Sequence, residues 1–359
     1  MLVLKSRKIY LLICLFLFSL AIPASAQTTE QFLTLSDLHF DPFLSCQKQP
    51  CPLIQKLESA PISQWQSIFS KEDHSVSAYG KDSNYELILS SLKAASTEGK
   101  AANLRFVLVL GDFLAHNYRE KYLQYSDNKT QAGYLLFVQK TLAFLNAAFL
   151  QAFPQCDVYM VIGNNDSFGG DYNVIPEGAF FKDFSQQGAS LIHHQANRQA
   201  FLQTFPTAGY FAVNAPSQPN LRLIFLNSVL FSIKVKGQRL EHAASAQLDW
   251  LHQELQQAAQ RKRKVLIAMH IPTGIDVYMT LLSPFRIAEF WKTAYSKRFL
   301  TELQQASSEI IGVFQGHIHA DSFQILSTAG KKPLPFTGTP SISPIFGNNP
   351  AFKIYSYSS

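Results

Sequence analysis

Five short stretches of this chain carry side chains that bind cations or move protons. They are Ser36-Asp37-Leu38-His39-Phe40-Asp41, Gly111-Asp112 with His116 four residues on, Gly163-Asn164-Asn165-Asp166, His270-Ile271-Pro272 and Gly316-His317-Ile318-His319. Five of the ten histidines fall in them. Phosphate ester cleavage calls for these residue types. The ester oxygens must be neutralised and a water made nucleophilic near neutral pH, and two cations about 3.5–4 Å apart do both. The chemistry expected is in-line attack by a hydroxide bridging the two metals. A carboxylate can bridge such a pair through its two oxygens, and Asp112 is the natural bridge. Imidazole and carboxylate without thiolate suit zinc, manganese or iron. No single pair is specific, since Asp-x-His is common by chance. All five in order, each closing an apolar run, form a specific pattern.

These residues need elements to position them. The stretches follow short apolar runs read as buried strands: Phe32 to Ser36, Phe106 to Leu110, Val158 to Ile162, Val265 to Met269 and Ile310 to Phe314, with a further run at Leu221 to Leu226. Helical spacing appears at Tyr85 to Ser96, which Asn84 can cap, at Tyr134 to Phe149 and at Ser245 to Ala259. Phe323 to Ser327 and Phe352 to Tyr357 read as late strands. Strand-like alternation puts Asp37 and His39 on one side, and likewise His317 and His319. The glycines before Asp112, Asn164 and His317 allow sharp turns. Strands broken by helices, then late strands, give an α/β class with two sheets flanked by helices, in one domain over 27–359. The stretches 42–82, 113–130 and 167–205 read as aromatic, Gly/Pro-rich loops after strand ends, where sites are commonly built. In them Trp65, Tyr79, Phe168 and Tyr172 either stack on a substrate or pack the loops, and His193-His194 either line a cleft or lie on the surface.

Composition narrows the classes. A chain of 359 residues with 47% hydrophobic and 16% charged positions is neither a disordered tail nor a small disulfide scaffold. Lys5, Arg7 and Lys8, the apolar run Ile9 to Ile22, and Pro23-Ala24-Ser25-Ala26-Gln27 read as a secretory signal cut after Ala26. That run is shorter than the ~20 residues a membrane span needs, and no other segment reads as a span. The leader carries three basic residues and no acidic one, so its removal takes the formal charge from +6 to +3. An excess that small is no nucleic-acid footprint. The basic run Arg261-Lys262-Arg263-Lys264 reads as a solvated loop. Cys46 and Cys51 flank a short polar loop and are expected to pair in an oxidising compartment. Cys156 is expected to be a buried, inert thiol.

The blocks resemble the calcineurin-like metallophosphoesterase superfamily over Asp37 to His319, and within it the acid sphingomyelinase-like phosphodiesterase branch. The branch resemblance rests on Asp37-Leu38-His39-Phe40-Asp41, Gly111-Asp112-Phe113-Leu114-Ala115-His116 and the late Pro340-Ser341-Ile342-Ser343-Pro344 with Asn349-Pro350. It implies a four-layer α/β/β/α sandwich. One metal would be held by Asp37, His39, Asp112 and His319, the other by Asp112, Asn164, His270 and His317, and branch members usually carry zinc. The superfamily usually has a histidine after the asparagine of the third block. Asn165 stands there instead, and its amide donates a hydrogen bond but transfers no proton. His116 is then the candidate acid, as branch members place a histidine four residues after the bridging aspartate. A helical turn after Asp112 would put both side chains on one face. Asp41 is read as orienting a histidine, and Asp166 and Asp171 as capping loops.

The reading is an exported phosphoesterase of a small soluble phosphodiester or phosphoanhydride such as a nucleotide. The stretch between Ala26 and the first block leaves no room for the saposin-like domain of true acid sphingomyelinases. Sphingomyelin or polyphosphate is the alternative substrate. A silent metal-binding surface protein is the alternative class; Asn165 leaves it open and the full set of seven ligand residues weighs against it.

Overall fold

The computed structural model describes residues 29–358 apart from 73–74, 217, 283–284, 329 and 331. The leader and its cleavage position after Ala26 lie outside the described residues. In chain order the elements are β1 (Thr29–Leu35), α1 (Pro52–Ser59), α2 (Trp65–Phe69), α3 (Tyr85–Ala102), β2 (Leu104–Val109), α4 (Tyr118–Tyr125), α5 (Gln131–Ala152), β3 (Asp157–Met160), α6 (Ala179–Gly188), α7 (Gln195–Ala208), β4 (Phe211–Ala215), β5 (Gln218–Phe225), α8 (Gln238–Gln260), β6 (Lys264–Ala268), α9 (Val277–Leu282), α10 (Thr293–Gln305), β7 (Ile310–Gln315), β8 (Ser322–Leu326), β9 (Leu334–Gly338) and β10 (Lys353–Ser358).

Two mixed sheets form, ordered β10-β1-β2-β3 and β4-β5-β6-β7-β9-β8. Their inner faces meet through aromatic rings: Phe32 of β1 lies 5.2 Å from Phe314 of β7, and Tyr159 of β3 lies 5.4 Å from Phe225 of β5. Helices α3 and α5 pack together beside the first sheet, and α8 and α10 beside the second. This is the four-layer α/β/β/α arrangement. Central strands buried on both faces explain why β1, β2, β6 and β7 read as near-continuous apolar runs.

Parallel register aligns the strand ends. Leu35 pairs with Val109 and Val109 with Met160 in one sheet; Phe225 pairs with Ala268 and Ala268 with Phe314 in the other. The chain therefore leaves β1, β2, β3, β6 and β7 along one edge, where the two sheets are tied together. His270 Nδ1 meets the Leu110 carbonyl at 2.6 Å, and the His317 backbone N–H donates to Asp37 at 3.0 Å. A C-terminal strap closes the same edge, with Ile342 and Ser343 N–H groups donating to the Ser36 and Asp37 carbonyls.

Every expected strand forms, with ends shifted by up to three residues. Strands β4 and β9 were not foreseen. The first is a short Phe-Ala-Val-Asn-Ala run, and the second carries Pro335 and stands because β7 and β8 flank it. The loop reading of 42–82, 113–130 and 167–205 is corrected: they hold α1 and α2, α4, and α6 with most of α7. Buried rings such as Trp65, Phe180 and Phe184 anchor these helices, so packing overrides modest intrinsic propensity. Helix α5 corrects a second expectation, since by length and composition it is apolar enough to cross a membrane. Here its apolar face, with Phe137, Phe144 and Phe149, is buried in the core. Cys46 and Cys51 form a disulfide. Cys156 is half-buried with its thiol on the Leu104 carbonyl, and burial pushes its pKa up, which keeps it protonated and unreactive.

Candidate metal centre

Two clusters of acceptor atoms face each other at the shared edge. In the first, His39 Nδ1 lies 3.1 Å from the Leu114 carbonyl. A carbonyl only accepts, so Nδ1 carries the hydrogen and Nε2 presents a lone pair. That Nε2 is 3.1 Å from His319 Nε2, and Asp37 Oδ1 is 3.3 Å from His319 Nε2 and 3.8 Å from His39 Nε2. Asp37 Oδ2 is occupied by the Ser36 hydroxyl at 2.5 Å and the His317 N–H at 3.0 Å, while Oδ1 is buried with no hydrogen-bond partner.

The second cluster repeats the logic. His270 donates Nδ1–H to the Leu110 carbonyl, leaving Nε2 facing Asn164 Oδ1 at 3.2 Å and Asp112 Oδ2 at 3.3 Å. Asp171 Oδ1 accepts from Asn164 Nδ2 at 2.7 Å, which turns the amide oxygen inward. His317 joins Asp112 and His270, with one ligand atom from each lying within 4.8 Å of the others. Asp112 Oδ2 also lies 3.5 Å from His39 Nε2, so this one oxygen stands between the clusters.

Acceptor facing acceptor is repulsive unless a cation lies between. Ligands at ~2.0–2.1 Å around a tetrahedral cation sit about 3.3 Å apart, and the pairs named above lie 3.1 to 3.8 Å apart. Charge states agree. Burial and the neighbouring His116 push His39 down to about 4, and burial and His270 push His317 down to about 3, so both are neutral and able to ligate at pH 7. Against the cost of burial, His319 holds Asp37 below the usual carboxylate range, and His270 does the same for Asp112. Burial also opposes charge on His270, yet Asp112 raises it to about 9. In the bare chain a proton on His270 thus stands where a cation fits.

The backbone is bent to aim these groups. Asp37, His39, Asp112, His317 and His319 all have positive φ, between 43° and 72°. Each such residue costs of order 1 kcal/mol or more, and such strain gathers at functional sites. The alternation expected for Asp37/His39 and His317/His319 is therefore not what aligns them, since both pairs lie past their strands in left-handed backbone. Gly163 serves close approach rather than a turn: a Cβ there would fall 2.1 Å from Asp112 Oδ1.

A family model for calcineurin-like phosphoesterase matches residues 31–321. The chain belongs to this family. It is a metal-dependent phosphoric ester hydrolase. Among its relatives, the cyclic GMP-AMP phosphodiesterase SMPDL3A of Rattus norvegicus is 24% identical over 92% of this chain and 69% of the relative. The sphingomyelinase phosphodiesterase D of Dictyostelium discoideum is 30% identical over 62% of this chain, which spans about half (48%) of that relative. A dimetal phosphatase from Danio rerio shares the fold with a TM-score of 0.51 at 13% identity, covering 90% of this chain and 91% of that one.

Beside the phosphoesterase clusters stands His116, its ring stacked 4.1 Å from that of His39. The segment after Asp112 is not helical, since α4 starts only at Tyr118. His116 is placed instead by bridges from Phe40 to Leu114 and Ser83. Its Nδ1 lies 2.9 Å from Asp82 Oδ1 and its backbone N–H donates to Asp82 Oδ2. Burial opposes charge on His116, but the Asp82 carboxylate prevails and raises its pKa. Lys121 Nζ donates to Asp82 at 3.1 Å and to Asp41 at 2.6 Å. Asp82 and Lys121 escaped the sequence reading. Asp41, expected to orient a histidine, instead holds Lys121 and the Phe43 N–H.

Asn165 spends both donors on Asp112, its backbone N–H on Oδ1 at 2.8 Å and its Nδ2 on Oδ2 at 2.9 Å. Asp166 accepts four N–H groups, from Asp112, Phe113, Leu114 and Gly163, and so pins the ends of β2 and β3 together. A cavity of about 190 Å³ opens beside His317, lined by Tyr172, Lys234, Met279 and Phe290 among others. Of the four aromatic residues singled out, Tyr172 lines this cavity, Trp65 lies in the core and Phe168 packs on Phe180. Tyr79 bonds Asn349. His194 pairs with Asp157, at the start of β3 and so at the strand's opposite end from the clusters.

Proposed function

We propose that residues 27–359 form one exported catalytic unit that hydrolyses a phosphodiester or phosphoanhydride bond of a small soluble substrate, such as a nucleotide. The observation carrying this reading is Asp112 Oδ2 poised between His39 and His270, 3.5 and 3.3 Å away, so that one carboxylate oxygen stands at both groups of ligand atoms. Asp37, His39, Asp112 and His319 would hold one divalent cation, and Asp112, Asn164, His270 and His317 the other; zinc suits this donor set. When bound, such a pair neutralises phosphoryl oxygens and acidifies water.

The chain's own residues do the rest. Asn165 holds both oxygens of Asp112 through two hydrogen bonds. Asp171 fixes the Asn164 amide. His116, tethered through Nδ1 to Asp82, would when protonated donate its Nε2–H to the departing oxygen as its bond to phosphorus breaks. Tyr172 and Phe290 offer apolar faces beside His317 for the substrate's organic part. The relatives named as cyclic GMP-AMP phosphodiesterases support a nucleotide, and the Cys46–Cys51 disulfide supports an oxidising compartment.

The test is turnover of bis(p-nitrophenyl) phosphate alongside elemental analysis of the purified protein. About two divalent ions per chain, activity lost on chelation and restored by zinc or manganese, and release of mononucleotide from a cyclic dinucleotide are expected. Activity indifferent to chelation overturns the reading. Two bound metals with no hydrolysis across nucleotides, sphingomyelin and polyphosphate would favour the silent binder.

A further inference from the structure

One loop, 163–173, reaches the second cluster twice. Asp171 fixes the Asn164 amide, and the next residue, Tyr172, brings its hydroxyl to 3.5 Å from His317 Nε2. The backbone is bent to do this. Tyr172 has φ of 57°, and left-handed backbone is a rare and strained choice for a bulky side chain. Short bonds hold it there. Its N–H donates to the Asn164 carbonyl at 2.8 Å, and the turn before it is closed by the Ser167 hydroxyl, which donates to the Gly170 carbonyl at 2.8 Å. Lys234 Nζ rests 4.4 Å from the ring centre and pins the ring from one face. Core packing does not account for the strain, because Tyr172 is only half-buried and lines the cavity beside His317.

The hydroxyl hydrogen of Tyr172 is weakly engaged. At 3.5 Å its contact with His317 is long for a hydrogen bond, and it has no other partner among the described residues. A cation at the second cluster frees that hydrogen altogether. If His317 ligates through Nε2, this nitrogen has no lone pair left to accept; if through Nδ1, Nε2 keeps its own hydrogen and donates to the phenol oxygen. Either way the O–H donor faces no acceptor on His317. The neighbouring amides are turned elsewhere, Asn164 Nδ2 to Asp171 and Asn165 Nδ2 to Asp112. A donor held rigidly beside a cation site, with no acceptor of its own, suits an anionic oxygen brought there by a ligand.

We propose that Tyr172 is a further catalytic residue: its hydroxyl donates a hydrogen bond to a non-bridging phosphoryl oxygen of the substrate at the second cluster. The bond holds the phosphoryl group for attack and stabilises the charge on its oxygens while the leaving group departs. No proton changes owner at Tyr172, which stays a phenol throughout. The inference deepens the phosphodiesterase reading and rests on it. The competing role is orientation of His317 as a ligand, and that role would act through the metal.

The experiment is Tyr172→Phe, which removes the oxygen and keeps the ring. Orthophosphate binding to the zinc-loaded protein, measured by calorimetry, should weaken by about tenfold or more, with zinc content and circular dichroism like the wild type. Turnover of bis(p-nitrophenyl) phosphate should fall by a similar factor in kcat/KM. Sulfur accepts hydrogen bonds weakly, so a chiral phosphorothioate diester adds a sharper readout. The wild type should be slowed by sulfur in one of the two diastereomers, and Tyr172→Phe should lose about tenfold less to the same replacement. Zinc lost in parallel with turnover, and both restored by added zinc, would make Tyr172 an orienting partner of His317 and overturn the proposal. Orthophosphate bound equally by both proteins, or by neither, would overturn it as well. Should no phosphodiester be hydrolysed while the hydroxyl still decides phosphate affinity, the phosphodiesterase reading fails and the contact between Tyr172 and a phosphoryl oxygen stands.

Discussion

At the residue scale the unusual feature is how few groups around His116 are free. Asp82 is bonded to both the His116 ring and its backbone N–H, and Lys121 ties Asp82 to Asp41. The carboxylate that raises the imidazole pKa is itself locked in place. An acid so positioned matters most when the leaving group is basic. His116→Ala should slow esters of aliphatic alcohols by about 10²-fold or more, and p-nitrophenyl esters by less than about tenfold, measured as kcat/KM across a leaving-group series. The sign of the pH effect follows from the same contact. In the proposed role His116 donates only when protonated, so activity should fall as pH rises through its raised pKa. Asp82→Asn removes the hydrogen bond and most of the negative charge that raise it, so the burial that lowers it weighs more. The alkaline limb should move to lower pH, read from kcat/KM profiles. Asp82 and Lys121 were not legible in the sequence. Neither closes an apolar run, and they meet His116 only because Phe40 bridges to both Ser83 and Leu114. The seven ligand candidates were legible because each follows a strand that could be seen.

At the element scale, chain reversals at strand ends carry the site, and two glycines make room there. Gly111 takes φ of 91°, as the turn reading of that position requires. Gly163 is a different case, since what it lacks is space: its missing Cβ would strike Asp112 Oδ1 at 2.1 Å and the Asp112 backbone nitrogen at 2.3 Å. Gly163→Ala must push β3 away from β2 or move Asp112. Overpacking of this kind costs about 1–3 kcal/mol, and a catalytic group displaced by about 1 Å costs about 10²-fold in rate. The variant should therefore fold with a lowered Tm and lose turnover by about that factor, with metal content falling in parallel. Helices α1, α6 and α7 explain what the sequence hid at this scale. In α1 a short Leu/Ile set follows Pro52, and in α6 and α7 the apolar positions are largely phenylalanine with Gly188 or Pro206 among them, so these segments resemble loops until the core they pack on is known.

At the scale of the whole molecule the two clusters act as clasps. Asp37, His39, Asp112 and Asn164 follow strands of the first sheet, while His270, His317 and His319 follow strands of the second. Each cluster draws on both: Asp37 and His39 meet His319, and Asp112 meets His270 and His317. Five left-handed residues and closely spaced ligand atoms make this edge a strained one. A cation held by the same groups would bind the sheets together. Binding confined to the folded state stabilises by about 2.7 kcal/mol at a hundredfold excess over Kd, and in a chain of this size each kcal/mol shifts Tm by roughly 2–4 °C. Chelation should therefore lower Tm by about 5–10 °C in calorimetry, and zinc should restore it. Asp112→Asn, which weakens the one oxygen shared by both clusters, should start from the lowered Tm and respond little to chelator or zinc. A Tm that chelation leaves unchanged in the wild type would mean the edge is held by protein contacts alone, with Asp166 and the 340–344 strap sufficient to close it.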